Sequence, residues 1–320
     1  MTPPIPHSLY TLAFLLLAAC QLPDSSPASA ADTLPAAVAI PSRGSDATLD
    51  IASWNVKWFG SQGNGPTDEE LQLARVRDVI RGTDADIWGL VEVVDKKAWD
   101  RLVSLLPGYS AVLVSDRAVT GGARAYHVAE QKVGLLFKSS VARLVGARVI
   151  LSEHDRAFAG RPPLEARLRV TMHGREHELV VVVLHMKAFA DEESLRRRQA
   201  AGEALKRYLD ATWPTQRVAV IGDWNDDVDT SIAPRRPSPY AGFVADPDYR
   251  FVTQPLSERR ISSTTGYREL IDHHLVTNEL AALLAPQGAE VYRVDRMIPR
   301  FDKTTSDHFP VISRYVLPRR

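Results

Sequence analysis

The chain is expected to be an α/β protein of the α+β kind, with two packed β-sheets and helices on the outside. Apolar runs of strand length recur from residue 50 onward, whereas only three stretches read as helices of any length. The connections mix hairpins with helical crossovers, which suits two mixed sheets better than one parallel, doubly wound sheet. Neither Gly-x-Gly-x-x-Gly nor Gly-x-x-x-x-Gly-Lys occurs, so neither common nucleotide cradle is supported.

Residues 50–56 alternate enough for a first strand, and Thr67-Asp68-Glu69-Glu70 then supplies a capping box for a helix. Leu71, Ala74, Val79 and Ile80 give that helix an apolar side, and Gly82 is expected to stop it. Residues 86–92 read as a buried strand and 97–106 as a helix ended by Pro107-Gly108. Strands follow at 133–138, 147–151, 168–172 and 179–185. A long helix over 192–211 carries Leu195, Leu205, Tyr208 and Leu209, and Trp213-Pro214 closes it. Further strands are expected at 218–221, near 270–276, near 291–294 and at 311–316. Residues 226–266, rich in Pro, Ser, Asp and Arg, read as a long functional loop with little regular structure.

Lys plus Arg (39) equals Asp plus Glu (39), so attraction to an anionic polymer must come from a local patch. Arg196 to Arg198, Arg235-Arg236 and Arg259-Arg260 are candidates for it, against the plainer reading of solvated helix and loop residues. The first 47 residues stand apart. Residues 9–19 form an apolar stretch of signal-peptide length, too short to cross a bilayer as a helix, and no Lys or Arg precedes it. It ends in Leu17-Ala18-Ala19-Cys20, which resembles a bacterial lipobox, and Cys20 is the only cysteine, so no internal disulfide can form. Gln21 rather than Asp follows, which the usual bacterial sorting pattern reads as outer membrane. The expected organisation is a signal peptide with lipobox over 1–20, a flexible Ala/Pro/Ser-rich tether over 21–47 and one domain over 48–320. The expected location is extracytoplasmic, on a lipid anchor at the outer membrane or secreted.

Five apolar runs end in Asp, Asn, Glu or His: Ser53-Trp54-Asn55-Val56-Lys57, Leu90-Val91-Glu92-Val93, Leu184-His185-Met186-Lys187, Gly222-Asp223-Trp224-Asn225-Asp226 and Ser306-Asp307-His308-Phe309-Pro310. Strands that finish this way gather polar groups at one rim, where a divalent cation and a phosphate can meet. Glu92 at a strand end can bind Mg²⁺ directly or be a solvated acid. Asp223 and Asn225, two apart in an extended segment, share a face, where a carboxylate takes a metal or water and an amide steers a phosphate oxygen. The alternating Asp223, Asn225, Asp227 and Asp229 do not make a calcium loop, because Val228 and Pro234 stand where Gly and Glu are required. His308 beside Asp307 suits proton transfer, and Asp272 is the candidate partner fixing its tautomer. Asp272 can also be read as a turn residue, with His273 and His274 as surface imidazoles. His185 and Lys187 would share a face of a strand end, one donating to a phosphoryl oxygen and the other neutralising it; a satisfied core histidine is the competing reading for His185.

Taken in order with Ile271-Asp272-His273, these stretches resemble the endonuclease/exonuclease/phosphatase superfamily over nearly all of residues 48–318. The resemblance implies a deoxyribonuclease I-like four-layer sandwich, two mixed sheets between helices, with the active site at the sheet edges. It implies that Glu92 binds a metal with Asn55 and Asp307, and that Asp223 and Asn225 orient or activate the attacking water and hold the phosphate. It makes His308, paired with Asp272, a phosphate contact or base, and His185 a charge stabiliser or acid. Arg161, in Gly160-Arg161-Pro162-Pro163, resembles a phosphate-contacting Arg of the deoxyribonuclease branch, with a solvated loop Arg as the alternative. Asn55 and Lys187 join it on the phosphate. One departure concerns the acidic or aromatic partner expected for the first catalytic His: Glu130 and Gln131 are nearest, and the register is ambiguous. The implied activity is a Mg²⁺-dependent phosphodiesterase, with Mn²⁺ or Ca²⁺ as alternatives, acting on nucleic acid and on DNA before RNA. A phospholipid or sphingomyelin phosphodiesterase or a phosphatase is the second reading, although Tyr240, Phe243, Tyr249 and Phe251 look scattered rather than gathered for a bilayer. An inactive surface binding module is the third. No obligate protein partner is evident.

Overall fold

The structure is a computed structural model that describes Met1 and residues 34–318, so Cys20 and the rest of the expected signal segment lie outside the described residues. Its strands are β1 (Leu49–Phe59), β2 (Ile87–Val93), β3 (Tyr109–Leu113), β4 (Val119–Thr120), β5 (Lys132–Lys138), β6 (Ala142–Val149), β7 (Leu164–Met172), β8 (Arg175–His185), β9 (Val218–Asp223), β10 (Tyr249–Phe251), β11 (Asp272–Thr277), β12 (Leu284–Val291) and β13 (Val311–Tyr315). One sheet has the order β12-β13-β1-β2-β5-β3 and the other β10-β11-β9-β8-β7-β6-β4. Both mix parallel and antiparallel pairs.

Strand alternation divides the apolar residues among three cores. Inner faces of the two sheets meet through Ile51, Val91, Leu135, Val181, Val183 and Ile221. The outward residues of the first sheet, among them Trp54, Trp88 and Leu90, pack under the helices Glu69–Thr83 and Lys96–Ser104. Those of the second sheet, among them Val182 and Val220, pack under the helix Glu192–Thr212. The result is the expected sandwich of helix, sheet, sheet and helix. A polar clasp crosses the middle: buried His274 on β11 reaches Ser53 on β1 (3.0 Å) and Ser313 on β13 (2.7 Å). His273 is equally buried, on Thr253 and the Leu270 carbonyl. Neither is a surface imidazole, and burial drives both down to about 3, so both are neutral.

Strand directions bring the motifs to one rim. β1 and β2 are parallel and carry Asn55 and Glu92 in their C-terminal parts, while β13 runs antiparallel to β1, so the loop that precedes it reaches the same rim. β8 and β9 are parallel and end in His185 and Asp223, and antiparallel β11 begins there with Asp272.

Several local expectations need correction. Asp68, not Thr67, caps the first helix by accepting from Leu71 N (2.9 Å). Gly82 lies inside that helix, which continues to Thr83; a Cβ there would sit 2.5 Å from Ile40 Cβ, so the glycine admits a neighbouring chain. That neighbour is the second part of the expected tether. Leu34, Val38 and Ile40 pack on the first sheet's helix layer, and Val38 N donates to Asp78 (2.8 Å). Residues 34–318 accordingly belong to one compact unit. The supposed loop over 226–266 contains two short helices and β10, and its Tyr240, Phe243 and Phe251 pack edge-on against buried Trp224. The strand expected near 291–294 is β12, ending at Val291.

Candidate active site

His185, Asp223 and Asp272 are direct neighbours across β8, β9 and β11, so cross-strand register alone lines up three side chains. Gly222 makes this possible: its φ is +136°, and a Cβ would lie 2.1 Å from the Leu184 carbonyl oxygen. From the other sheet comes Asn55, whose side-chain amide donates both to Glu92 Oε1 (2.9 Å) and to Asp223 Oδ2 (3.0 Å). One amide thus bridges the two sheets' carboxylates. Alternation would place Glu92 on the same face as Leu90, but its φ of +67° and a register shift turn it toward Asn55 and the Trp58 N–H (2.9 Å).

His308 Nδ1 lies 2.8 Å from Asp272 Oδ2, and a carboxylate only accepts, so the imidazole donates. Its Nε2 faces Asp223 Oδ2 at 3.9 Å. The backbone is clasped to β1: Trp54 Nε1 donates to the His308 carbonyl (2.7 Å), and Ser306 Oγ donates to the Asn55 carbonyl (2.6 Å). Ser263 Oγ donates to Asp272 Oδ2 (2.6 Å). Burial alone would lower His308, yet Asp272 and Asp223 raise it to about 10, so it is a cation. Burial, reinforced by Asp272, pushes Asp223 up to about 7. Burial and Arg161 hold His185 well below the ordinary histidine value, so it is neutral. His185 Nε2 lies 3.6 Å from Asp223 and 3.8 Å from Glu92.

Arg161 is not a solvated loop residue. It is 7% exposed, donates to the Met186 carbonyl (2.9 Å) and to Gln131 Oε1, and lies in the field of Glu92 and Asp223. Of the two residues nearest the ambiguous position, Gln131 serves Arg161, and His185 Nδ1 has no hydrogen-bond partner. Asn225 does not share a strand face with Asp223. The strand ends at Asp223, Asn225 has φ +54°, and its N–H donates back to Asp223 Oδ1 (2.9 Å) while its amide holds the Met186 carbonyl (3.1 Å). Lys187 likewise leaves the strand line: its Nζ lies over the Phe189 ring and donates to the Ala188 carbonyl (3.0 Å). Asp307 sits on the lip, 41% exposed and paired with Lys57 (3.2 Å), apart from the carboxylates that Asn55 bridges. Three of the arginines named for a basic patch are already engaged. Arg198 is fully buried on Asp226 (2.9 Å), and Arg196 and Arg236 pair with Glu192.

The donor set suits a hard divalent cation. Asp223 and Asp272 offer carboxylate oxygens that lie, with a ring nitrogen of His308, within 4.8 Å of one another, and Asp272 Oδ1 is buried with no hydrogen-bond partner; His308, as a cation, has no lone pair for a metal. Glu92 adds a third carboxylate through Asn55. Ser263 and Trp54 were not recognisable as site residues in the sequence; Trp54 lay within a motif with no role attached, and Gln131 was named only as an ambiguous neighbour of the first histidine.

A family model described as the endonuclease/exonuclease/phosphatase family matches residues 52–308. No curated protein sequence matches the chain. Among solved structures, zebrafish (D. rerio) TDP2 complexed with a single-strand DNA product is similar at 14% identity and TM-score 0.60, covering 84% of this chain and 98% of that one. The human Nocturnin catalytic domain with bound sulfate gives 17% and 0.57, covering 84% and 94%. An endonuclease/exonuclease/phosphatase from Bacteroides vulgatus gives 16% and 0.57, covering 85% and 99%. At these identities the likeness is one of fold.

Proposed function

Because the chain belongs to the endonuclease/exonuclease/phosphatase family, we propose that it is a Mg²⁺-dependent phosphodiester hydrolase acting on nucleic acid, DNA before RNA. The observation that carries this reading is the juxtaposition of a raised carboxyl, Asp223, with a cationic imidazole, His308, held by Asp272. Two groups pushed apart in this way can serve as base and acid near neutral pH. Asp223 takes a proton from the attacking water as its oxygen bonds to phosphorus. The bond from phosphorus to the leaving oxygen breaks, and His308 donates to the oxygens that gain charge. Neutral His185 adds a hydrogen bond from Nε2, and Asn225 and Arg161 steer the phosphate. A divalent cation, held by Glu92 with Asn55 and Asp223 beside it, would neutralise developing charge and acidify water. The single-strand DNA product complexed with zebrafish TDP2 supports the choice of nucleic acid. The buried state of Tyr240, Phe243 and Phe251 disfavours the lipid reading, since they form no docking surface.

The test is the full chain against plasmid DNA, RNA, sphingomyelin and bis-p-nitrophenyl phosphate, with Mg²⁺ or EDTA, beside His308→Ala. Mg²⁺-dependent cleavage of DNA that is lost in the variant supports the proposal. Turnover of sphingomyelin alone would replace it with the lipid reading. Attachment outside the cytoplasm through Cys20 is a separate proposal, resting on the Leu17-Ala18-Ala19-Cys20 run. Metabolic labelling with a fatty-acid analogue that persists in Cys20→Ser would overturn it.

A further inference from the structure

Beside the catalytic rim lies a cleft of about 470 Å³ whose lining includes Thr265, Arg296, Met297, Arg300, Phe301 and Asp302. Its wall is bonded to the site. Thr265 N donates to the Asp307 carbonyl (2.8 Å), and neighbouring Thr264 forms a β-bridge with His308. Lys57, whose N–H donates to Asn55 Oδ1 (2.9 Å), extends its Nζ to the Asp302 carbonyl and to Asp307, both at 3.2 Å. Phe301 stacks on Trp54, the residue that bonds the His308 carbonyl. One wall of the cleft is thus built on the residues that position the catalytic imidazole.

Its charge is unbalanced. Asp295 is already engaged by both ends of the Arg293 guanidinium (2.9 and 2.8 Å), and Asp302 lies 3.4 Å from Lys303. Arg296 and Arg300 are exposed and make no ion pair or side-chain hydrogen bond among the described residues. Arg300 is also held at φ +51°, a conformation that a non-glycine residue keeps only where its surroundings impose it. Two free guanidiniums on one cleft match the phosphates of a polynucleotide strand.

We propose that this cleft is a subsite for the nucleotide next to the scissile phosphodiester. Arg296 and Arg300 hold the flanking phosphate, and the half-buried Met297 side chain meets its sugar. The inference rests on the nucleic-acid reading above, and the test separates the two. Equilibrium binding of the 5′-phosphorylated trinucleotide (dT)₃ to the full chain in EDTA reads the cleft without turnover. Arg296→Ala and Arg300→Ala are each expected to weaken binding about tenfold. The double variant should lower the slope of log affinity against log salt by about 1.4. Arg300→Lys should keep part of the affinity. Arg207→Ala, which removes the same charge from the helix over the other sheet, should show less than a twofold change. In steady state with Mg²⁺, the loss appears in KM for (dT)₃ and is smaller for bis-p-nitrophenyl phosphate, which has no second phosphate to reach the cleft. Equal binding by wild type and the double variant, or equal loss in Arg207→Ala, overturns the subsite. Arginine-dependent binding to phosphatidylglycerol vesicles with unchanged (dT)₃ affinity overturns it as well. A wild-type chain that hydrolyses nothing yet binds (dT)₃ through these arginines leaves the subsite standing and sinks the hydrolase reading.

Discussion

Replacing Asp272 with Asn tests the division of labour at the rim. His308 Nδ1 donates to Asp272 Oδ2 across 2.8 Å, and the same oxygen accepts from Ser263 Oγ at 2.6 Å. If the Asn oxygen keeps that place, its NH₂ enters the buried position of Asp272 Oδ1, which has no partner. An unpaired buried donor costs about 1–3 kcal/mol. If the amide is reversed, its NH₂ faces His308 Nδ1, and the imidazole must carry its proton on Nε2. In both arrangements the carboxylate charge is gone. At about 3 Å and an effective dielectric near 20, that charge favours the imidazolium by roughly 5 kcal/mol. Its loss brings His308 from about 10 to the ordinary histidine value or below. Turnover should fall about 10²- to 10⁴-fold, with a loss of several degrees in Tm. The assays are turnover of bis-p-nitrophenyl phosphate from pH 5 to 9 and an NMR titration of the His308 imidazole in EDTA. Turnover within threefold of wild type, or a His308 that still titrates near 10, would refute the assigned roles.

Three other outcomes are expected. Removing divalent metal with EDTA should abolish phosphodiester hydrolysis and raise no barrier to folding, since the three cores are built without the rim; activity that survives exhaustive chelation would remove the cation from the mechanism. Gly82→Ala gains about 1 kcal/mol of helix propensity but places a methyl 2.5 Å from Ile40 Cβ. Unseating Ile40 costs about 1.5–3 kcal/mol, and the bonds from Arg43 N and Gly44 N to the Thr83 carbonyl add about 1 kcal/mol each. The variant should therefore lose about 2.5–4 kcal/mol and become open to proteolysis before residue 48; a more stable, equally resistant variant would contradict the packing account. Burial raises Asp50 to about 6, so the folded chain binds this proton more tightly than the unfolded one, and stability linked to Asp50 rises as pH falls from above 6 toward 4. The span corresponds to roughly 3 kcal/mol. Urea midpoints of wild type and Asp50→Asn should accordingly diverge in favour of wild type as pH drops from 7 to 5, and a difference independent of pH would count against it.

Much of the site was legible because each motif ends a strand. A run such as Val180 to Leu184 must be buried on both faces, so the first polar residue after it, His185, is forced to a sheet edge. The same logic found Asn55, Glu92 and Asp223, whereas Asp272 opens β11 and was proposed only as a partner for His308. It failed where the backbone leaves the strand. Asn225 and Lys187 were assigned a shared face with their neighbours by period-2 reasoning, which does not hold past Asp223 and His185. Arginine runs were equally misleading, because Arg198 is buried by Asp226, a residue 28 positions later whose approach no local pattern signals.

Sequence by itself determined the class of fold, the order of the strands along the chain and the residue types at the rim, because burial period and strand termination are local properties. The tertiary structure decided which of those residues meet. Register across β8, β9 and β11 aligned His185, Asp223 and Asp272, and the antiparallel placement of β13 delivered His308 to Asp272 from 36 residues away. It also decided their charge states, since a carboxyl near 7 and a neutral His185 beside a cationic His308 arise from desolvation and from charges on other strands.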